Sequence, residues 1–296
     1  MNVSSVSDYA LKLLGERAQG SVHSVFATSF NVELAGELIH IGSEDAPLSC
    51  LGATVAAGEA SLAVRAIEAG DPAEWDGRSL VVRGRARTLA FDLAHAPRRS
   101  MRVPHALAAE GMGLDAELYR ALDSLHLAER IGLPWEGEER SHTALMSLAR
   151  FSSMCLAHAL GYENPVRVEA ASRAMSGAVG YLVGRGLGLT PSGDDVLCGF
   201  GCGLRFLYGV DPLAQRFFDD VAAAVLGRGK TTAVSEAYLA AICEGYANAD
   251  YLELCETLRS HEVAMLPTRL SRVLEVGHTS GADGLFGFAA AFCCLM

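Results

Sequence analysis

The sequence predicts an α+β protein. A β-rich N-terminal domain, a small barrel or sandwich, spans residues 1–100, and a larger, mainly helical domain with an internal quasi-repeat spans residues 101–296. Three observations lead there. Short β-type segments separated by Gly, Asp and Pro turns fill the first hundred residues. Beyond the break at Pro97-Arg98-Arg99-Ser100-Met101-Arg102-Val103-Pro104 the apolar spacing changes to a 3.6-like period. Strands come first and helices after, an order that argues against a doubly wound parallel sheet.

Taken in order, Ser7 or Asp8 can cap a helix running to about Arg17. After Gly20 come β-type segments at Val22 to Val32, Glu37 to Ile41, Leu48 to Val55, Leu62 to Ile67, Leu80 to Val82 and Thr88 to Leu93. In the second half, helical spacing covers Ala116 to Arg130, and a Pro-, Trp- and acid-containing loop from Leu133 to Arg140 interrupts it. Further helices are expected at His142 to Leu160, Val166 to Val183, Asp195 to Tyr208, Leu213 to Leu226, Ala233 to Glu244, Tyr251 to His261 and Thr268 to Val276. The apolar tail from Gly284 to Met296 reads as a buried last helix.

With 296 residues, 50% of them hydrophobic, the chain can bury a sizeable core. No apolar run reaches the roughly 18 residues that a membrane crossing takes, so no membrane partner is expected. Met1 to Asp8 lacks the basic start and apolar stretch of a signal peptide, and the expected location is the cytoplasm. The net charge of −11 argues against nucleic acid, because phosphate contacts need a basic face. Cys155, Cys198, Cys202 and Cys243 sit in apolar, Ala- and Gly-rich stretches, the surroundings of buried reduced thiols. No Cys-x-x-Cys pair occurs, and the adjacent Cys293 and Cys294 are poorly placed to share a metal.

The most informative feature is a repeated turn. Residues 190–200 read Thr-Pro-Ser-Gly-Asp-Asp-Val-Leu-Cys-Gly-Phe, and residues 278–288 read His-Thr-Ser-Gly-Ala-Asp-Gly-Leu-Phe-Gly-Phe. Ser192, Gly193, Asp195, Leu197, Gly199 and Phe200 match Ser280, Gly281, Asp283, Leu285, Gly287 and Phe288 without a gap, 88 residues apart. The bland account is helix capping: each serine accepts its own N3 amide, and each acid lies near a helix N-terminus. Capping leaves unexplained the extra carboxylate Asp194 and the glycine-dense approach Gly184-Arg185-Gly186-Leu187-Gly188. It also leaves unexplained Gly199, Gly201 and Gly203 inside a helix, where each costs on the order of 1 kcal/mol against alanine. Such a helix is expected where another backbone or a ligand approaches closely, and the two turns are expected to share one cleft.

A second candidate is Gly227-Arg228-Gly229-Lys230-Thr231-Thr232. Walker A would need glycine where Ala224 stands, and the preceding segment reads as helix, so a P-loop is rejected. Thr231, Thr232 and Ser235 can cap a helix or hydrogen-bond an anion held by Lys230. His278 stands beside the second turn in a loop and is the general acid/base candidate, to be oriented by a carboxylate such as Asp283 or Asp195. Ser192 and Ser280 lack the strand–turn–helix context of a serine hydrolase.

In this order and spacing, Gly-x-Gly-Leu-Thr-Pro-Ser-Gly-Asp-Asp, Thr-Thr-x-x-Ser-x-x-Tyr-Leu and Gly-His-Thr-Ser-Gly-x-Asp-x-Leu-x-Gly resemble the bacterial family that includes the AllH subunit of oxamate carbamoyltransferase. That family has also carried a loose carboxylase label. The likeness is strong from Gly184 to Phe288 and weak over the β-rich part. It implies a subunit acting with partner proteins in the breakdown of allantoin, a purine-derived nitrogen source, where oxalurate and phosphate interconvert with oxamate and carbamoyl phosphate.

Chemistry then suggests roles. Transfer to nitrogen passes through a tetrahedral oxyanion, which amides, hydroxyls and a cation stabilise. The N-terminal amides at Gly193 and Gly281, the approach at Gly188, the hydroxyls of Thr190, Ser192, Thr279 and Ser280, and Lys230 or Arg185 could supply them. Bare carboxylates at Asp194, Asp195 and Asp283 would repel an anion, so they must cap helices, orient His278 or hold Mg²⁺. The expected partners are an anionic small molecule, sister subunits and further copies of the chain. No cofactor is required unless Mg²⁺ is held. The alternatives are a non-catalytic subunit whose glycine-rich helices pack on sister subunits, and a Mg²⁺-dependent hydrolase with Asp194, Asp195 and Asp283 as ligands.

Overall fold

The computed structural model describes residues 1–106, 115–133, 139–162, 164–225 and 229–293. Gly227, Arg228, Cys294, the end of the apolar tail and the middle of the Leu133 to Arg140 loop lie outside the described residues. The chain divides into two compact units, Met1–Arg102 with Tyr246–Ala249, and Val103–Gly245 with Asp250–Met296.

The first unit is a half-barrel made from one nine-stranded sheet. Its strands are β1 (Val3–Ser7), β2 (Ala18–Val25), β3 (Ser29–Leu34), β4 (Glu37–Ser43), β5 (Gly52–Val55), β6 (Pro72–Trp75), β7 (Ser79–Arg83), β8 (Thr88–Asp92) and β9 (Arg98–Arg99), in the order β8-β7-β6-β2-β3-β4-β5-β1-β9. Strand alternation sends Phe30, Val32 and Leu34 of β3, with Ile39 and Ile41 of β4, into one apolar core. Two helices, α1 (Asp8–Leu14) and α2 (Ala57–Ala66), add Ala10, Leu14, Ala60 and Ala63 to it.

Four local expectations change here. A strand at Val3–Ser7 precedes the first helix, which ends at Leu14 where Gly15 turns to φ +58, short of Arg17. The segment from Val22 to Val32 is two antiparallel strands, β2 and β3. Leu62 to Ile67 belongs mostly to α2, because Ala60 and Ala63, three apart, give a helix one small buried face while Leu62 points outward. Pro72–Trp75 adds a strand that its proline masked in the sequence.

The second unit is helical. Its described helices are α3 (Asp115–Asp123), α4 (Glu139–Ala159), α5 (Pro165–Leu182), α6 (Ser192–Tyr208), α7 (Pro212–Val225), α8 (Ala233–Cys243), α9 (Ala249–Arg259), α10 (Leu266–Leu274) and α11 (Ser280–Ala291). The expected long helix from Ala116 to Arg130 stops at Asp123, and a short 3-10 turn at Leu127–Glu129 follows His126 in the left-handed region. Among the described residues no helix is long and apolar enough to cross a membrane.

Glycine explains how α6 and α11 cross. A Cβ on Gly199 would lie 1.8 Å from the Gly284 carbonyl oxygen, and one on Gly287 would lie 2.0 Å from that of Val196. Gly199 and Val196 are the counterparts of Gly287 and Gly284 in the repeat, so the contact is a quasi-two-fold. Farther along, a Cβ on Gly203 would lie 2.5 Å from the Ala291 Cβ. The first turns repeat the device. Gly193 lies against the Leu182 carbonyl at the end of α5, and Gly281 against the Val273 carbonyl in the last turn of α10, each at 2.1 Å from an added Cβ. Backbone packs on backbone, which offsets the helix-propensity cost of glycine through close contact.

Candidate functional site

The quasi-two-fold brings the two turns together. Helix α6 begins at Ser192 after Pro191, whose fixed φ suits a helix entry, and no side chain caps it. Helix α11 begins at Ser280 after Thr279, again without a side-chain cap. A capping serine would accept its own N3 amide. Here the amide of Asp195 goes to the Pro191 carbonyl, and that of Asp283 to the Thr279 carbonyl. The serine hydroxyls serve the opposite turn, Ser280 stabilising the Asp195 carboxylate and Ser192 that of Asp283. Thr190 Oγ1 and Ser280 Oγ are 2.9 Å apart and join the two loops.

The equivalent carboxyls differ in their surroundings. Asp283 is fully buried, and its Oδ1 accepts the Gly132 amide at 2.8 Å. A Cβ on Gly132 would fall 2.3 Å from Ser192 Oγ and 2.9 Å from Thr279 Oγ1, so glycine lets this segment close over the carboxyl. Burial pushes the Asp283 carboxyl up, and the hydroxyls of Ser192 and Thr279 with the amides of Gly132 and Leu133 pull it back. Asp195 is half-buried and has no such backbone donor among its main influences. Burial pushes it up to about 8; the Ser280 hydroxyl opposes this, the Asp283 charge adds to it, and Thr190 opposes it. One oxygen of each carboxyl, Asp195 Oδ2 and Asp283 Oδ2, is buried without a hydrogen-bond partner.

Asp194 faces elsewhere. Its Oδ1 accepts the Gly184 amide at 2.8 Å, and its Oδ2 accepts the Thr231 hydroxyl. Burial pushes this carboxyl up as well. Thr232 Oγ1 caps α8 through the Ser235 amide at 3.1 Å and reaches the Leu189 carbonyl at 2.5 Å. Thr231 and Thr232 therefore tie the loop at residues 184–190 to the start of α8, and Ser235 is buried in that helix. Lys230 is exposed, and its carbonyl lies where a Cβ on Gly184 would come to 1.9 Å. Arg185 stacks over the Tyr181 ring at 3.9 Å, and Gly188 is an exposed loop residue at φ +93.

Three sequence expectations are corrected. The amides of Gly193 and Gly281 are not free for a ligand: they donate to the Arg185 and Val276 carbonyls at 2.8 and 3.0 Å. The Mg²⁺-hydrolase arrangement is not formed, because Asp194 turns away from Asp195 and Asp283. Among the described residues no three His, Cys, Asp or Glu side chains gather as a metal would require. His278 is exposed, and among the described residues no acceptor, neither Asp195 nor Asp283, holds its ring.

The sequence reading missed Gly132, which has no counterpart in the repeat and only its lack of a side chain to mark it. It also missed a directed polar chain in the first unit. Asn31 Nδ2 donates to Ser24 Oγ at 3.1 Å, and His40 Nδ1 meets Asn31 Oδ1 at 2.9 Å. Burial holds the His40 imidazole down at about 4, so it is neutral. A period-two pattern could have placed Asn31 and His40 on the sheet face opposite the core.

Two comparisons with protein families match. Residues 182–292 match the family model described as oxamate carbamoyltransferase subunit AllH, and residues 2–98 match the AllH family N-terminal domain. No solved structure matches.

Proposed function

The chain belongs to the AllH family of oxamate carbamoyltransferase subunits, and from that premise we propose that its paired turns handle the substrate of a carbamoyl transfer. The proposed reaction interconverts oxalurate and phosphate with oxamate and carbamoyl phosphate, in the cytoplasm, as a step in allantoin breakdown. No disulfide is formed among the described cysteines, which fits a reducing compartment. The subunit designation implies other subunits in the complex.

The observation that carries this reading is the interlock of Thr190, Ser192, Thr279 and Ser280 with Asp195 and Asp283 at two helix N-termini. Nitrogen of oxamate attacks the carbamoyl carbon and the carbonyl oxygen gains charge; as the tetrahedral species collapses the C–O bond to phosphate breaks, and the proton lost by the nitrogen passes to the departing phosphate. Hydroxyl donors and the positive ends of two helices oppose that developing charge. In the structure α6 and α11 use their glycines on each other, which weakens the purely structural alternative of glycine-rich helices packing on sister subunits.

The test is turnover by the complex assembled with its sister subunits, following carbamoyl phosphate formed from oxalurate and phosphate. Ser192→Ala and Ser280→Ala should each lower kcat at least tenfold without dissociating the complex. Full turnover by both variants would refute the assignment. Calorimetry with carbamoyl phosphate should give the same affinity with and without Mg²⁺.

A further inference from the structure

We propose that Gly132 is a displaceable plug: on Asp283 it fills the place of a ligand's ureido N–H groups, and the ligand binds by pushing it out. The inference rests on the reading of the paired turns as a binding site, and it names the end of the ligand that they hold. The position of a Cβ on Gly132 marks a point where three oxygens converge: Ser192 Oγ at 2.3 Å, Thr279 Oγ1 at 2.9 Å and Asp283 Oδ2 at 3.3 Å. Asp283 is fully buried, and that Oδ2 has no hydrogen-bond partner, while Oδ1 accepts the Gly132 amide at 2.8 Å. The Leu133 amide also donates to this carboxyl. The chain thus presents peptide N–H groups to the acid and leaves an acceptor oxygen beside them unused. A buried acceptor without a donor is costly, and a carboxylate accepts two N–H groups side by side. A ureido group supplies that pair. It also carries a carbonyl, which can accept from the hydroxyls of Ser192 and Thr279; a guanidinium has none.

The cover over the acid is one residue thick. Gly132 is itself exposed, as are Ala128, Glu129 and Arg130, whereas Leu127 and Leu133 are buried on either side. The amides of Glu129, Arg130 and Ile131 are satisfied by the His126 and Leu127 carbonyls, so the turn holds its own hydrogen bonds when Gly132 moves. Once off Asp283, the Gly132 amide meets solvent directly, and its withdrawal strands no buried donor. A side chain at this position would collide with Ser192, so glycine alone seats here. The orientation also reconciles a carboxylate with an anionic ligand. The N–H end turns toward Asp283, and the charged end of the ligand points outward.

Hydrogen exchange at the Gly132 amide is followed in the full-length chain with oxalurate, and separately with oxalate, which has a carboxylate but no N–H group. Saturating oxalurate should speed this exchange at least about tenfold, and oxalate should leave it unchanged. By calorimetry Gly132→Ala, whose cover is already withdrawn, should bind oxalurate at least about threefold more tightly than wild type, because the covered state reduces apparent affinity. Exchange that is unchanged or slowed at saturation, equal acceleration by oxalate, or weaker binding by Gly132→Ala would each overturn the plug and leave the carbamoyl-transfer reading standing. Faster exchange with oxalurate, but no carbamoyl phosphate formed by the assembled complex, would sink that reading and leave the plug standing. No binding of oxalurate at any concentration would sink the plug, and turnover by the complex then judges the reading separately. The wild-type exchange decides the matter even if Gly132→Ala does not fold.

Discussion

Replacing Asp195 with asparagine should make the protein more stable at pH 8 than wild type, and by less at pH 5. The native carboxyl keeps its proton to about pH 8, against an ordinary value of 3.8. Between those values the native state holds a proton that the unfolded chain has released, so wild-type stability falls as pH rises through that window and levels off above it. A gap of this size corresponds to a ceiling of about 6 kcal/mol at about 1.36 kcal/mol per pH unit. A half-buried carboxyl relaxes and admits water, so roughly half of that ceiling, about 2–3 kcal/mol, is the expected difference. Asparagine keeps the shape of the neutral acid without a titrating proton, and the other raised carboxyls, Asp194, Asp250 and Asp283, are common to both proteins. Urea unfolding followed by circular dichroism at pH 5, 6, 7 and 8 measures the difference. An Asn-minus-wild-type gap that stays constant across the series would refute the reasoning.

Other expectations follow from the contacts. Gly199→Ala drives a methyl against the Gly284 carbonyl and should cost at least about 3 kcal/mol, whereas Gly58→Ala, with open space around it in α2, should be neutral or stabilising by up to about 1 kcal/mol in urea melts. Asp194→Ala releases Gly184 and Thr231 and should cost about 2–3 kcal/mol, with faster proteolysis within residues 184–190. His278→Gln should change stability by no more than about 0.5 kcal/mol, since the side chain is exposed. In the assembled complex it should lower kcat at unchanged KM; a rise in KM alone would make His278 an anion ligand instead of a proton shuttle.

The fold class and the meeting of the turns were legible because both are periodic signals. Alternation in β3 and β4, 3.6-spacing along the later helices, and six identities at a fixed offset each constrain backbone geometry directly. What escaped reading depends on partners distant in sequence. Ser192 and Ser280 look like caps in isolation, and only the crossing of α6 and α11 turns their hydroxyls toward the opposite acid. The amides of Gly193 and Gly281 look free until the Arg185 and Val276 carbonyls fold back on them. Asp194 and Asp195 are neighbours in sequence, yet the helix sends them to different partners. Strand Pro72–Trp75 was hidden by its proline, and α2 by a β-like run ending in Ile67.

A duplicated turn supplies two equivalent acids, and the chain then breaks the equivalence with a segment from outside the repeat. Gly132 does this, because its amide gives Asp283 a backbone donor that Asp195 lacks while the missing Cβ lets it lie against Ser192 and Thr279. Gly132→Ala tests the point directly. The new methyl would fall 2.3 Å from Ser192 Oγ, so the segment must withdraw and take its amide with it. Asp283 then loses a donor that favoured its ionised form and becomes harder to ionise. With less charge on Asp283, charge on Asp195 is less disfavoured, so Asp195 should release its proton at lower pH. The pH range over which Asp195 lowers stability should end at lower pH than in wild type, as followed by urea unfolding with circular dichroism. An unmoved end to that range in a folded Gly132→Ala protein would mean that the asymmetry between the two carboxyls is set inside the repeat, by differences such as Thr190 against His278 and Asp194 against Ala282, and not by the closing segment.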